Sequence, residues 1–252
     1  MVVCLALNRL QGGLKFAWLI LLMQLNCDGF SQTEVSTWVN YRNRFSTFSG
    51  SEFIPTVLAR HQVGKNIISG GFQLERLTLN NHKRPVFGLH YQRMFDFRNE
   101  ELKAGFMWVE NRYTIYSFAR HLIADIQSDK KKFKYRVGYH TILFMLTPKA
   151  KEQLDIKQNT TLVEWHNIIY EIAYFFRENE SRWNAGIELK NIDFLFVNQS
   201  SSPMFSGKII HQPNEQWLLF SELRGQRPGM MNLSSDRLHY LIRFGITWRA
   251  KK

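Results

Sequence analysis

The sequence predicts an all-β chain, a single antiparallel transmembrane β-barrel of about twelve strands (ten to fourteen) behind a cleavable signal peptide. Three observations predict it. The segment ending at Trp248 alternates strictly: Leu238, Tyr240, Ile242, Phe244, Ile246 and Trp248 make one apolar face, against His239, Leu241, Arg243, Gly245 and Thr247. A period of two places these sets on opposite faces of a strand, in two different solvents. Aromatic residues make up 14% of the chain, which suits interfacial girdles. The third observation is an export-type start with no later apolar stretch of helical-span length.

That start is residues 1–31. Arg9 and Lys15 form a positive region, and Phe16–Leu25 is an apolar run too short to span a bilayer as a helix. Gly29-Phe30-Ser31 supplies small residues for cleavage before Gln32. The alternatives are an uncleaved anchor, disfavoured by the short run, and a lipoprotein at Cys27, disfavoured by Asn26. Both cysteines, Cys4 and Cys27, fall in this segment, so the barrel domain, 32–252, has no disulfide or cysteine metal site.

Other segments share the alternation. Phe87, Leu89 and Tyr91 oppose Gly88, His90 and Gln92. Phe133, Tyr135, Val137 and Tyr139 oppose Lys134, Arg136, Gly138 and His140. Ile168, Tyr170, Ile172, Tyr174 and Phe176 share a face, and Ala173 and Phe175 blur its opposite. Trp183, Ala185, Ile187 and Leu189 oppose Asn184, Gly186, Glu188 and Lys190. Weaker strands are expected over 37–47, 56–63, 67–79, 102–110, 112–124, 204–211 and 216–225. Short turns at one end and longer loops at the other are expected of such barrels. Stretches 226–236, 212–215, 197–203, 177–182 and 147–161 follow that alternation. It fails upstream, where 125–132 is too long for an inner turn and no outer loop stands near Glu110-Asn111.

The net charge is +12, and loss of Arg9, Lys15 and Asp28 with the signal leaves +11. In an exported protein nucleic acid is not the reason. Anionic headgroups or an anionic solute fit better, beside the plainer reading of a basic, solvated protein.

The chemistry is sparse. There is no phosphate-binding glycine loop, H-E-x-x-H or G-x-S-x-G, so no catalytic residue, metal site or cofactor is implied. His90, His140 and His239 share the lumen-facing phase with Lys134, Arg136, Glu188, Lys190 and Arg243. These eight are the candidate ligand-binding residues. Glu222 and Arg224 fall in the same phase less securely. Mixed inward charges are expected to neutralise one another, in a lumen that is filled or gated rather than open. A bias to Lys and Arg would select anions.

Several C-terminal stretches resemble the ends of small outer-membrane barrel proteins of the Bacteroidetes type. They are Asn191-Ile192-Asp193-Phe194, Asn198-Gln199-Ser200, Pro203-Met204-Phe205, Trp217-Leu218-Leu219-Phe220-Ser221-Glu222, Pro228-Gly229-Met230-Met231-Asn232-Leu233 and Phe244-Gly245-Ile246-Thr247-Trp248. Here Arg249-Ala250-Lys251-Lys252 follow the final aromatic. The resemblance implies fold and outer-membrane location, and no reaction.

The expected function is therefore non-enzymatic: a small, anion-preferring channel, or a structural component of an outer-membrane complex. Its expected partners are outer-membrane lipid and lipopolysaccharide, the barrel-assembly machinery, and members of such a complex. Two alternatives stand beside it. An enzyme acting on lipid or lipopolysaccharide would need a serine or carboxylate near His90, His140 or His239 at interface height. A soluble secreted ligand binder would turn its aromatic faces inward.

Overall fold

A computed structural model describes residues 31–43, 52–76, 83–98, 100–112, 116–130, 132–156, 161–176, 182–193, 203–226 and 239–250. The expected signal peptide lies outside the described residues, apart from Ser31. Twelve strands form one closed barrel. They are β1 (Ser31–Asn43), β2 (Glu52–Val63), β3 (Asn66–Arg76), β4 (Lys83–Phe97), β5 (Glu100–Arg112), β6 (Ser117–Asp129), β7 (Phe133–Leu146), β8 (Thr161–Phe176), β9 (Trp183–Lys190), β10 (Met204–His211), β11 (Trp217–Gln226) and β12 (His239–Arg249). Among the described residues a short helix, α1 (Pro148–Gln153), follows β7, with Thr147 as its N-cap.

Each strand pairs antiparallel with its sequence neighbours, and β1 closes on β12 from Glu34↔Arg249 to Asn43↔Tyr240. Closure leaves no edge, so the ladder can satisfy the backbone without water. Connections 64–65, 98–99, 130–132, 177–182 and 212–216 lie at one end. Connections 44–51, 77–82, 113–116, 147–160, 191–203 and 227–238 lie at the other, and all of these except 113–116 are at least as long as any at the first end. Gly64 takes a positive φ of 55° in the tight β2–β3 turn.

Two sequence expectations are corrected. The strand expected over 112–124 is Ser117–Asp129, which leaves a short turn at 130–132 and an opposite connection at 113–116. The alternation of connection lengths therefore does not fail upstream. The first strand runs from Ser31 to Asn43 rather than 37–47, of which 44–47 lie outside the described residues.

The burial pattern separates the two faces. Phe205, Phe244, Ile168, Ile172, Ile187, Val137, Tyr139 and Leu223 point outward, each more than half exposed. The opposite phase holds buried Arg224, Glu222, Lys190, Arg243, His121 and Gln73. A water-soluble barrel would invert this arrangement, because exposed apolar area is costly in water. The soluble-binder alternative is thereby set aside.

Candidate functional site

The site is the lumen. On one side a polar network runs across seven strands. Arg224 on β11 donates from Nε and Nη2 to Glu222 Oε1, at 3.2 and 2.7 Å. Arg243 on β12 donates from Nη1 to Glu222 Oε2 at 3.1 Å and from Nε to Asn40 Oδ1 at 2.7 Å. Asn40 passes the network to Thr56 at 3.3 Å, and Thr56 to Gln73 at 3.1 Å. Lys190 on β9 donates to Glu188 at 2.6 Å and lies 3.4 Å from Glu222, while Ser206 donates to Glu188 at 3.3 Å. Glu222 thus faces three cations. Buried charges persist only when compensated in this way.

The opposite wall holds a second group. Asp125 on β6 accepts from Arg136 on β7 and lies 3.6 Å from His90 Nε2 on β4. Two glycines make room for it. A Cβ on Gly105 would stand 2.7 Å from His90 Nε2 and 2.9 Å from Asp125 Oδ1, and one on Gly138 would stand 2.8 Å from Asp125 Cβ. Gly105→Ala is therefore expected to part His90 from Asp125 and destabilise the barrel by about 1–3 kcal/mol. The expected readout is a lower temperature at which the folded form is lost in SDS gels; an unchanged temperature would refute the crowding argument. Beside this group His121 Nδ1 and His140 Nε2 are 3.0 Å apart, and Lys134 donates to Glu171 at 2.6 Å.

A strap from the long-connection end joins the two walls. Just past β9, Asn191 docks on β8: its amide donates to Ile168 O and its carbonyl accepts from Tyr170 N, both at 2.8 Å. Ile192 then enters an apolar cluster with Val86, Met107, Val109, Ile123 and Ile169, from β4, β5, β6 and β8. Asp193 turns the other way and binds Arg224 Nη1 at 3.0 Å and Arg243 Nη2. Ile192, Val86, Met107, Val109, Ile123 and Ile169 are nearly or wholly withdrawn from water. The lumen is thus packed in its long-connection half. Toward the short turns, Arg60, Ser36, Lys208, Ile210, Leu218 and Phe220 keep partial exposure.

Seven of the eight candidate residues can be placed by side chain. Glu188, Lys190 and Arg243 belong to the first network; His90 and Arg136 gather at Asp125; Lys134 pairs with Glu171; His140 contacts His121. His239 pairs in register with Gln226, and its side chain lies outside the described residues. The loop residues Met230 and Met231 also lie outside them. Sequence reasoning missed Asp125, Glu171, Asp193 and Lys208. A strand boundary drawn at Asp129 would have put Asp125 in the phase of His121; nothing in the sequence marks Asp193 as inward.

The enzyme alternative required a partner for a histidine at the lipid interface. Asp125 and, by register, Ser69 do neighbour His90. All three are buried in the lumen phase, on the inward face of the barrel. Among the described residues no group of three or more His, Cys, Asp or Glu is placed to hold a metal ion.

No known family model and no curated protein sequence matches the chain. Among solved structures it resembles the KdgM porin, with a TM-score of 0.51 at 9% identity over 85% of this chain and 98% of that one. The NanC porin gives a TM-score of 0.50 at 9% identity, with the same coverage. An outer-membrane channel from Pseudomonas putida F1 gives 0.50 at 6% identity, over 89% of this chain and 97% of that one. At such identities the likeness concerns the fold alone, a closed antiparallel barrel of twelve strands.

Proposed function

We propose that the protein is a non-enzymatic outer-membrane channel, closed on the outer side by the 191–193 strap and preferring small anions. The long connections then face outward and the short turns face the periplasm. Lipid and lipopolysaccharide contact its apolar belt. The neighbouring folds support a channel in general.

The anion preference rests on one observation. Among the described residues, each lumen carboxylate has a cation within ion-pair distance, whereas Lys208 has no carboxylate within 4 Å, its neighbours Glu188 and Glu222 being bound by other cations. Glu34 is likewise shared by Arg60 at 3.8 Å and Arg249 at 2.9 Å. The uncompensated lumen charge is positive and keeps partial exposure. A pore lined with surplus cations favours anions.

Planar-bilayer recording under a potassium chloride gradient tests this. The expected reversal potential lies on the chloride side of zero. A potassium-side value would refute the preference. Absence of current, from wild type and from strap-released variants alike, would refute the channel and favour a structural role in an outer-membrane complex.

A further inference from the structure

We propose that the periplasmic half of the lumen contains a binding site for a small organic carboxylate with a flat apolar face, centred on Lys208. This deepens the channel reading by naming the solute class.

Lys208 stands on β10 between Gly186 of β9 and Glu222 of β11. Glu222 is already engaged by Lys190, Arg224 and Arg243, and Glu188 by Lys190 and Ser206. The Lys208 ammonium is left over, half-buried and 5.2 Å from the centroid of the Phe220 ring. Glu188 and Glu222 act on it only from beyond ion-pair distance, and an ammonium with no carboxylate in contact can take one through a charge-assisted hydrogen bond.

The surroundings favour an organic anion over a bare inorganic one. Phe220 lies over Gly245, where an added Cβ would also stand 2.6 Å from Trp38 Cβ. Phe175 lies over Gly186, its Cδ1 and Cε1 at 2.5 and 2.8 Å from where a Cβ would be. Lys208 is therefore flanked by two half-buried aromatic rings laid on bare backbone. Phe220 meets Trp38 edge-on at 6.4 Å, which extends the aromatic surface. Apolar walls with one convergent charged group are the usual form of a small-molecule site. The strap and the ionic network lie on its long-connection side, and Ile210 and Leu218, both partly exposed, on its short-turn side.

The test is equilibrium binding to the folded, detergent-solubilised barrel by saturation-transfer NMR. Benzoate is the probe, benzamide matches its shape without charge, and acetate carries its charge without the ring. Benzoate is expected to bind at least about tenfold more tightly than either. Lys208→Met should remove that advantage, Lys208→Arg should keep most of it, and Phe220→Leu should weaken benzoate severalfold while sparing acetate. Heat-modifiable gel mobility confirms that each variant is folded. Equal binding of benzoate and benzamide, or an unchanged Lys208→Met, would overturn the site. Bilayer current is measured separately. Anion current without benzoate binding would overturn the site and keep the channel; benzoate binding without current would do the reverse.

Discussion

Asp193→Asn should open the barrel, raising single-channel conductance severalfold and moving the reversal potential further toward chloride. The carboxylate is the only group of the strap that engages Arg224 and Arg243. Breaking a buried ion pair by removing one partner costs about 3–5 kcal/mol. The rest of the strap is held by Ile192, whose burial is worth about 1.5–3 kcal/mol, and by two Asn191 hydrogen bonds of about 1 kcal/mol each. Losing the ion pairs therefore removes a large share of the closing free energy. It also leaves the two guanidiniums with Glu222 as their one carboxylate among the described residues, which makes the pathway more positive. Asn191→Ala should open the barrel less. Unchanged conductance in Asp193→Asn would refute the latch.

The same geometry fixes the effect of pH. Burial alone would raise the Asp193 pKa, but Arg224, Arg243 and Lys190 outweigh it and hold the carboxyl well below the ordinary carboxylate range. A depressed folded pKa gives a contribution that is present above the unfolded value. It is lost only as pH falls through the folded one. Acidification to about pH 5 should therefore leave the latch shut.

The outward face of this architecture is legible in the sequence; the closure of the lumen is not. On β7, β9 and β12 the outward phase is apolar and the inward phase, apart from residues such as Ile142 and Leu241, is mostly small, polar or charged, so a period of two stands out. On β5 and β6 the inward phase contains Met107, Val109, Ala119 and Ile123, beside Lys103, His121 and Asp125. Met107, Val109 and Ile123 belong there because Ile192 packs on them. The tertiary contact erases the contrast on which strand assignment depends, and this displaced β6. Asp125 was thereby read as a turn residue. Asp193 and Lys208 carry no local signal at all: their significance comes from what lies across the barrel or fails to lie beside them.

Phe244→Arg should destabilise the folded barrel in lipid vesicles by about 2–4 kcal/mol, while Trp248→Arg should cost only about 0–1 kcal/mol. Phe244 sits midway along β12, 61% exposed, pairing in register with Val39 and Ser221. If that surface meets hydrocarbon, a guanidinium there must be carried into a medium that cannot solvate it. Trp248 lies one residue from the end of β12, by the short turns, where an arginine can reach headgroups and water. The difference between the two positions is the informative quantity. A substitution that merely lost packing would cost similar amounts at both, and in water an exposed Phe→Arg change would cost nearly nothing. Urea titration of vesicle-folded protein measures both values. A depth-dependent penalty requires a membrane around β12, and equal penalties would remove the basis for placing the barrel in one.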